Sequence, residues 1–230
     1  MKDNRTSQPA REYDANVGKT IPFYDLIHAA ILDLAEVASP APAAWLDTGC
    51  GTGTLAEAAL RRFPRTVFTL ADPSDAMLEI AREKLAGCDR CRFLAAGTEA
   101  VHLLEQSFDI ITAVLAHHYF PPDTRRAATA NCFRLLREGG VYVTFETIMP
   151  CSPDGLEIGL ETWRRAQLAR GKSEADVDKH IKRYGTELLP IPAAAHLQLL
   201  ADTGFAAAEL FWASGLQAGF YAVKRSRQPG

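Results

Sequence analysis

Residues 44–146 alternate short apolar runs with stretches of helical period, the pattern of a parallel sheet wrapped by helices. The runs at 44–46, 67–71, 92–95, 109–114 and 141–146 read as five strands. Between them, 55–62, 76–86 and 124–137 place apolar residues three or four apart and read as helices, the last stopped by Gly139 and Gly140. Crossovers between parallel strands are right-handed, so this order folds into a doubly wound sheet.

The flanks carry a similar code. Residues 22–37 read as an amphipathic helix with Phe23, Leu26, Ile27, Ala30, Ile31 and Leu34 on one face. After the fifth strand, 151–191 breaks the alternation with two helical patterns, one holding Leu156, Leu160 and Trp163, the other Val177, Ile181 and Tyr184. Ser173 with Asp176 resembles a capping box at the start of the second. A structureless loop of that length is implausible, so a helical cap is expected. Residues 193–201 read as a helix ended by Gly204, and 208–212 with 219–224 as a terminal β-hairpin. The expected fold is one α/β domain over 1–230 with a doubly wound, mostly parallel seven-stranded sheet. Its parts are an arm and helix at 1–40, a core at 44–146, a helical cap insertion at 151–191, and a final helix and hairpin at 193–224.

Composition narrows the class. The chain has 230 residues, of which 47% are hydrophobic, enough for one large core. The formal net charge is −3 and only 224–227 gathers Lys and Arg, which argues against a broad nucleic-acid surface. No apolar leader opens the sequence and no run reaches the ~18 apolar residues of a membrane span, so a cytoplasmic protein is expected. Five cysteines, an odd number, fit free thiols in a reducing compartment. Cys88 and Cys91 form a lone CxxC; a structural zinc would need two more ligands, and His102 has none beside it, so no metal is expected. The oligomeric state is open, a homodimer included.

The chemistry starts in the run AWLDTGCGTGTL, which puts Gly49, Gly51 and Gly53 where a strand ends and a helix begins. Glycines there let the backbone turn sharply and approach a ligand. The spacing is not the GxGxxG of a dinucleotide site, and Asp47 before it would repel pyrophosphate but attract an ammonium group. A cofactor with an amino-acid end is favoured. Asp72 closes the next strand, where doubly wound folds place the acid that accepts from ribose hydroxyls. Alone, Asp72 before Pro73 reads equally as a turn residue; with Asp47 the ribose reading prevails.

In order along the chain, DTGCGTG, LADPSDAML, FLAAGTEA, SFDIITAVLAHHYF and LLREGGVYVTFE resemble the motifs of class I S-adenosylmethionine-dependent methyltransferases. The resemblance covers roughly residues 44–146. It implies S-adenosylmethionine as cofactor and S-adenosylhomocysteine as product. Asp47 with the backbone of Gly49, Cys50, Gly51 and Gly53 would face the methionine end, Asp72 the ribose, Met77 the adenine face, and Gly97 with Thr98 its edge. Ala113, in the fourth-strand motif, is carried over as a cofactor contact. The family often has Asp at the adenine edge; here Thr98 and Glu99 stand there, so a hydroxyl or backbone group would substitute. Met77 reads also as core, since Met77, Ile80, Ala81 and Lys84 share helical spacing. Tyr13 reads as an arm that folds over the cofactor, as in related enzymes, or as part of a disordered terminus.

A sulfonium methyl is already activated, so the protein must mainly hold an acceptor in line within a dry pocket. A base helps a hydroxyl or amine acceptor, and His118, Tyr119 and Glu146 follow the fourth and fifth strands, at the carboxyl edge where ligands gather. His118 reads as that base or as cofactor packing, Glu146 as substrate contact or structural partner. The cap is the natural source of specificity for a small-molecule acceptor. The C-terminal part and the cap resemble carboxy-S-adenosylmethionine synthases, which hold the added carboxylate with an arginine in the helix before the GF turn. Here that helix offers His196, Leu197, Gln198 and Leu199, so methyl transfer leads. A non-catalytic S-adenosylmethionine-binding protein is the remaining reading.

Overall fold

The computed structural model describes residues 4–225. Seven strands form one sheet: β1 (Ala44–Thr48), β2 (Val67–Asp72), β3 (Cys91–Ala95), β4 (Phe108–Val114), β5 (Leu136–Thr147), β6 (Ala207–Ser214) and β7 (Gln217–Val223). Their order is β3-β2-β1-β4-β5-β7-β6; β7 runs antiparallel to its neighbours β5 and β6, and the other pairings are parallel. This is the expected doubly wound sheet with its terminal hairpin.

Alternate residues feed two hydrophobic layers, as period-two strands buried on both faces require. Trp45, Ile110, Val141 and Val143 join one layer; Leu46, Ile111 and Tyr142 join the other. The first layer is covered by α2 (Tyr24–Ala38) and α3 (Thr54–Arg62), through Ile27, Ile31, Ala35, Leu55 and Ala59. Behind the second stand α5 (Pro122–Leu135) and α8 (Ala193–Thr203), through Cys132, Leu135 and Leu200. Between β2 and β3 lies α4 (Asp75–Lys84), capped by Ser74, whose hydroxyl accepts from the Met77 N–H at 3.1 Å.

Residues 153–181 form the cap helices α6 (Pro153–Ala169) and α7 (Glu174–Ile181). Ser173 caps α7 by accepting from the Asp176 N–H at 3.1 Å and donates its hydroxyl to the Asp176 carboxylate at 2.7 Å. The polar N-terminal segment is helical: a 3-10 turn, Ala10–Glu12, leads into α1 (Tyr13–Thr20). Of the basic 224–227 tail, Ser226 and Arg227 lie outside the described residues.

Two elements differ from the expectation. The apolar stripe of α2 is rotated: Ile27, His28, Ile31, Leu32 and Ala35 are buried, while Phe23 and Leu26 are exposed. Phe23 adopts a left-handed φ of 61° ahead of the helix, so the chain enters α2 two residues later than the pattern suggests. The second concerns α5, which stops at Leu135 without a glycine cap, and β5 begins at Leu136. Lys224 replaces that cap: its Nζ donates to the carbonyls of Phe133 and Leu136 at 2.7 and 2.8 Å. Gly139 and Gly140 instead pair with the Lys224 backbone beyond the end of β7.

Candidate functional site

The carboxyl ends of β1, β2 and β4 meet at one mouth. After Thr48 the chain turns at Gly49, where φ is +64°, and a Cβ there would lie 2.5 Å from the Ala116 Cβ. Only glycine permits that approach of loop to loop. Gly51 donates its N–H to Asp72 Oδ2 at 2.9 Å, and Asp72 Oδ1 accepts from the Ser74 N–H at 2.9 Å. Asp72 is therefore a turn residue and the tie between the glycine loop and β2 at once. A cavity of about 340 Å³ opens here, lined by Gly49, Gly51, Asp72, Met77, Gly97, Thr98, Glu99, Leu115 and Tyr13, among others. Met77 is both core, at 2% exposure, and wall of this cavity.

Thr98 borders the cavity without offering it its hydroxyl, and Ala113 lies elsewhere. The Thr98 hydroxyl faces inward, 2.7 Å from Thr48 Oγ1 and 3.2 Å from His117 Nε2. Glu99 folds back toward Gly97, where an added Cβ would lie 2.8 Å from its Oε1. Ala113 is fully buried in the second layer and does not line the cavity; Val114, Leu115 and Ala116 do. Leu115 takes a left-handed φ of 54° and donates its N–H to the Phe145 carbonyl at 2.7 Å. Strain at a non-glycine residue beside a cavity is a mark of functional sites.

A neighbouring chamber is lined by Asp47, Gly49, Cys50, Gly51, Tyr13 and Tyr24, among others. Asp47 is buried, and its Oδ1 accepts from Thr112 Oγ1 at 2.7 Å, which in turn accepts from Trp45 Nε1 at 3.0 Å. No salt bridge reaches it among the described residues, and burial pushes its pKa up to about 7. A buried carboxylate without a cation fits a ligand that brings an ammonium group. Burial likewise raises the Cys50 thiol, which makes it a neutral wall and not a nucleophile. Sequence reading missed Asp14, which accepts from Thr52 Oγ1 at 2.5 Å and from Lys84 Nζ at 2.8 Å and so fastens α1 to the glycine loop. Gly53 caps α3 with a φ of +76° and stands behind the loop against Ala81 and Leu70.

On the acceptor side, His117, His118 and Tyr119 form a 3-10 turn after β4. His118 Nδ1 lies 3.1 Å from Glu146 Oε2, and the His118 N–H donates to the same oxygen at 2.8 Å. Thr147 donates its N–H to Nδ1 at 3.3 Å, so the carboxylate and the backbone compete for this nitrogen; the tautomer with its proton on Nδ1 toward Glu146 is the one that leaves Nε2 as an acceptor. Glu146 is fully buried; burial opposes its ionisation, yet the His118 hydrogen bond and the surrounding imidazoles hold its pKa down to about 2. It lines an internal cavity with Tyr142, Thr144 and His196 and not the mouth. Tyr119 has its pKa raised by burial, while Arg183 stands 5.9 Å from its ring centroid. His118 and Tyr119 line a small chamber under the cap with Trp163, His180, Arg183 and Leu188. Thr6, Tyr13, Leu115 and Tyr119 border this chamber and the larger cavity alike.

A doubly wound sheet with a glycine turn after β1, an acid ending β2 and a polar turn after β4 defines a methyltransferase-type α/β protein. Residues 46–140 match the model of a methyltransferase domain. The carboxy-S-adenosyl-L-methionine synthase of Trichlorobacter lovleyi is 25% identical over 214 residues, covering 90% of this chain and 87% of that protein. A ubiquinone/menaquinone biosynthesis C-methyltransferase of Methylobacterium nodulans is 32% identical over 121 residues, 51% of this chain and 47% of that protein. Among solved structures, the plantazolicin methyltransferase BpumL, determined with S-adenosylhomocysteine, superposes with a TM-score of 0.71 at 14% identity, covering 94% of this chain and 91% of that one. Residues 46–140 thus form a methyltransferase domain, in a chain whose relatives include both a carboxy-S-adenosyl-L-methionine synthase and a C-methyltransferase.

Proposed function

We propose that this chain moves the methyl group of S-adenosylmethionine to the hydroxyl or amine of a small-molecule acceptor, with His118 as general base and Glu146 as its positioning residue. The observation that carries this reading is the pair itself: an imidazole with Nδ1 held at 3.1 Å by a buried carboxylate, on the wall of a chamber that shares Tyr13, Leu115 and Tyr119 with the larger cavity. Asp47 would take the ammonium group of the cofactor, Asp72 the ribose, Met77 the adenine face, and Gly97 with Glu99 the adenine edge. S-adenosylmethionine, when bound, supplies an electrophilic methyl whose carbon–sulfur bonding pair returns to sulfur as the acceptor lone pair attacks. His118 Nε2 takes the proton the acceptor loses, and the imidazolium is balanced by Glu146. An acceptor that fills the small chamber would displace water from that proton transfer. Five free cysteines support a reducing compartment such as the cytoplasm.

With an acceptor found by screening for methyl transfer, His118→Ala should lower kcat by about 10²–10⁴-fold while the Kd for S-adenosylhomocysteine holds. Glu146→Gln should lower kcat without raising KM. Unchanged turnover in His118→Ala would remove the base from the mechanism. Failure of the wild-type chain to bind S-adenosylhomocysteine in a calorimeter would remove the cofactor.

Carboxyl-group chemistry is the second reading, favoured by the near full-length match to a carboxy-S-adenosyl-L-methionine synthase. Against it, α8 supplies no arginine, and its His196 lines the internal cavity beside Glu146 and not the mouth. Mass spectrometry of the product settles it: a gain of one methyl on the acceptor supports transfer, and a carboxylated cofactor supports the other.

A further inference from the structure

The chamber under the cap is small where the chemistry would occur and wide beyond it. Its inner part, about 40 Å³ beside His118 and Tyr119, has room for roughly three water molecules. Through Thr6, Ser7, Gln8, His180 and Arg183 it adjoins an outer chamber of about 580 Å³ between α1 and α7. Only a slim end of an acceptor fits inside, so the body of the molecule would lie in the outer chamber.

The outer walls are not balanced. Lys19, Lys172 and Lys179 line this chamber, and none of the three is in a salt bridge among the described residues. Lys172 is half-buried, with its Nζ held by neutral oxygens only, Thr20 Oγ1 at 3.1 Å and Gln167 Oε1 at 3.2 Å. The carboxylates facing them are partly engaged: Glu187 pairs with Arg183 Nε at 2.8 Å and Asp176 accepts the Ser173 hydroxyl, while Glu12 stands on the exposed rim. His180, 5% exposed on the wall between the chambers, has an Nδ1 with no hydrogen-bond partner among the described residues. Neighbouring Gln167, fully buried, likewise leaves its Nε2 unpartnered. An ammonium group hydrogen-bonded only to neutral oxygens, beside a buried imidazole nitrogen without a partner on the same wall, marks a place that an anion completes.

We infer that the acceptor is a small oxyanion, a carboxylate or phosphate compound whose anionic group lies against Lys172 and His180 while its nucleophilic end reaches His118. This rests on the methyl-transfer reading, which the test separates from it. With the chain saturated in S-adenosylhomocysteine, calorimetry compares charged probes with uncharged counterparts: 4-hydroxybenzoate with 4-hydroxybenzamide, 3-hydroxybutyrate with its amide, and glycerol 3-phosphate with glycerol. An oxyanion should bind about tenfold or more tighter than its neutral partner, the carboxylate and phosphate arms showing which class is favoured. Lys172→Met, measured with S-adenosylhomocysteine still saturating, should erase most of that preference, and the exposed Lys179→Met, which carries no folding risk, should reduce it in part. Equal binding of anions and neutrals, binding by none of the oxyanions, or a preference that survives both variants overturns the inference. Loss of S-adenosylhomocysteine binding in the wild type overturns the cofactor reading instead.

Discussion

Asp47 shows how one residue ties the cofactor to pH. Its carboxyl is buried against the Thr112 hydroxyl, and burial raises the pKa from 3.8 to about 7. The folded chain therefore holds this proton more tightly than the unfolded chain, so the group's contribution to stability is complete below about 3.8 and is lost as pH rises through about 7. A ligand ammonium needs the ionised form. Affinity for S-adenosylhomocysteine should then strengthen by about tenfold per pH unit up to neutrality and level off above it, with one proton released per ligand bound on the acid side. Calorimetry in buffers of different ionisation enthalpy reads both quantities. Asp47→Asn should flatten the profile, weaken binding by roughly two orders of magnitude and raise the melting temperature of the free protein above neutral pH. A flat profile in the wild type would mean that Asp47 is not the ammonium partner.

At the scale of elements, the turn after β1 holds the site together by approach and not by side chains. Gly49→Ala would force a Cβ to 2.5 Å from Ala116 Cβ at a backbone φ of +64°. The expected cost is about 1–3 kcal/mol of stability, read by urea denaturation, with a larger loss of S-adenosylhomocysteine affinity because the loop and the segment after β4 part. Wild-type affinity in that variant would show that the loop does not contact the cofactor. Such local features were open to sequence reading, because strand, turn and acid lie within one short stretch from Asp47 to Asp72. Parallel strands buried on both faces also write themselves as apolar runs, which is why β1 to β5 were legible. What escaped depends on partners distant in sequence. The α5 terminus is closed by Lys224, 88 residues beyond Leu136, so its neighbouring glycines misled. His118 and Glu146, 28 residues apart, are joined by the pairing of β4 with β5, and Thr98 turned inward because His117 and Thr48 claim its hydroxyl.

Across the molecule, α1 connects the two halves of the site. At one end Asp14 accepts from Thr52 and Lys84 and so binds the glycine loop; at the other, the Thr20 carbonyl accepts from Trp163 Nε1 at 2.7 Å, and the Thr20 hydroxyl accepts from Lys172 Nζ at 3.1 Å. Tyr13, the first residue of the helix, lies beside Asp14 on the walls of both the larger cavity and the chamber under the cap. A helix fastened to both the sheet and the cap is well placed to close over the cofactor as one body. Trp163 lines no part of the cofactor cavity, yet on this view loosening its hold on Thr20 should weaken cofactor binding. Asp14→Asn and Trp163→Phe should each raise the Kd for S-adenosylhomocysteine a few-fold, and the double variant should fall short of the summed effects by more than about 0.5 kcal/mol, the usual limit of additivity between distant sites. Asp14→Asn should leave the melting temperature of the free protein nearly unchanged, since a partly exposed ion pair contributes about 0–1 kcal/mol. Additive losses would make the two anchors independent supports, and no loss in Trp163→Phe would confine the role of α1 to the glycine loop.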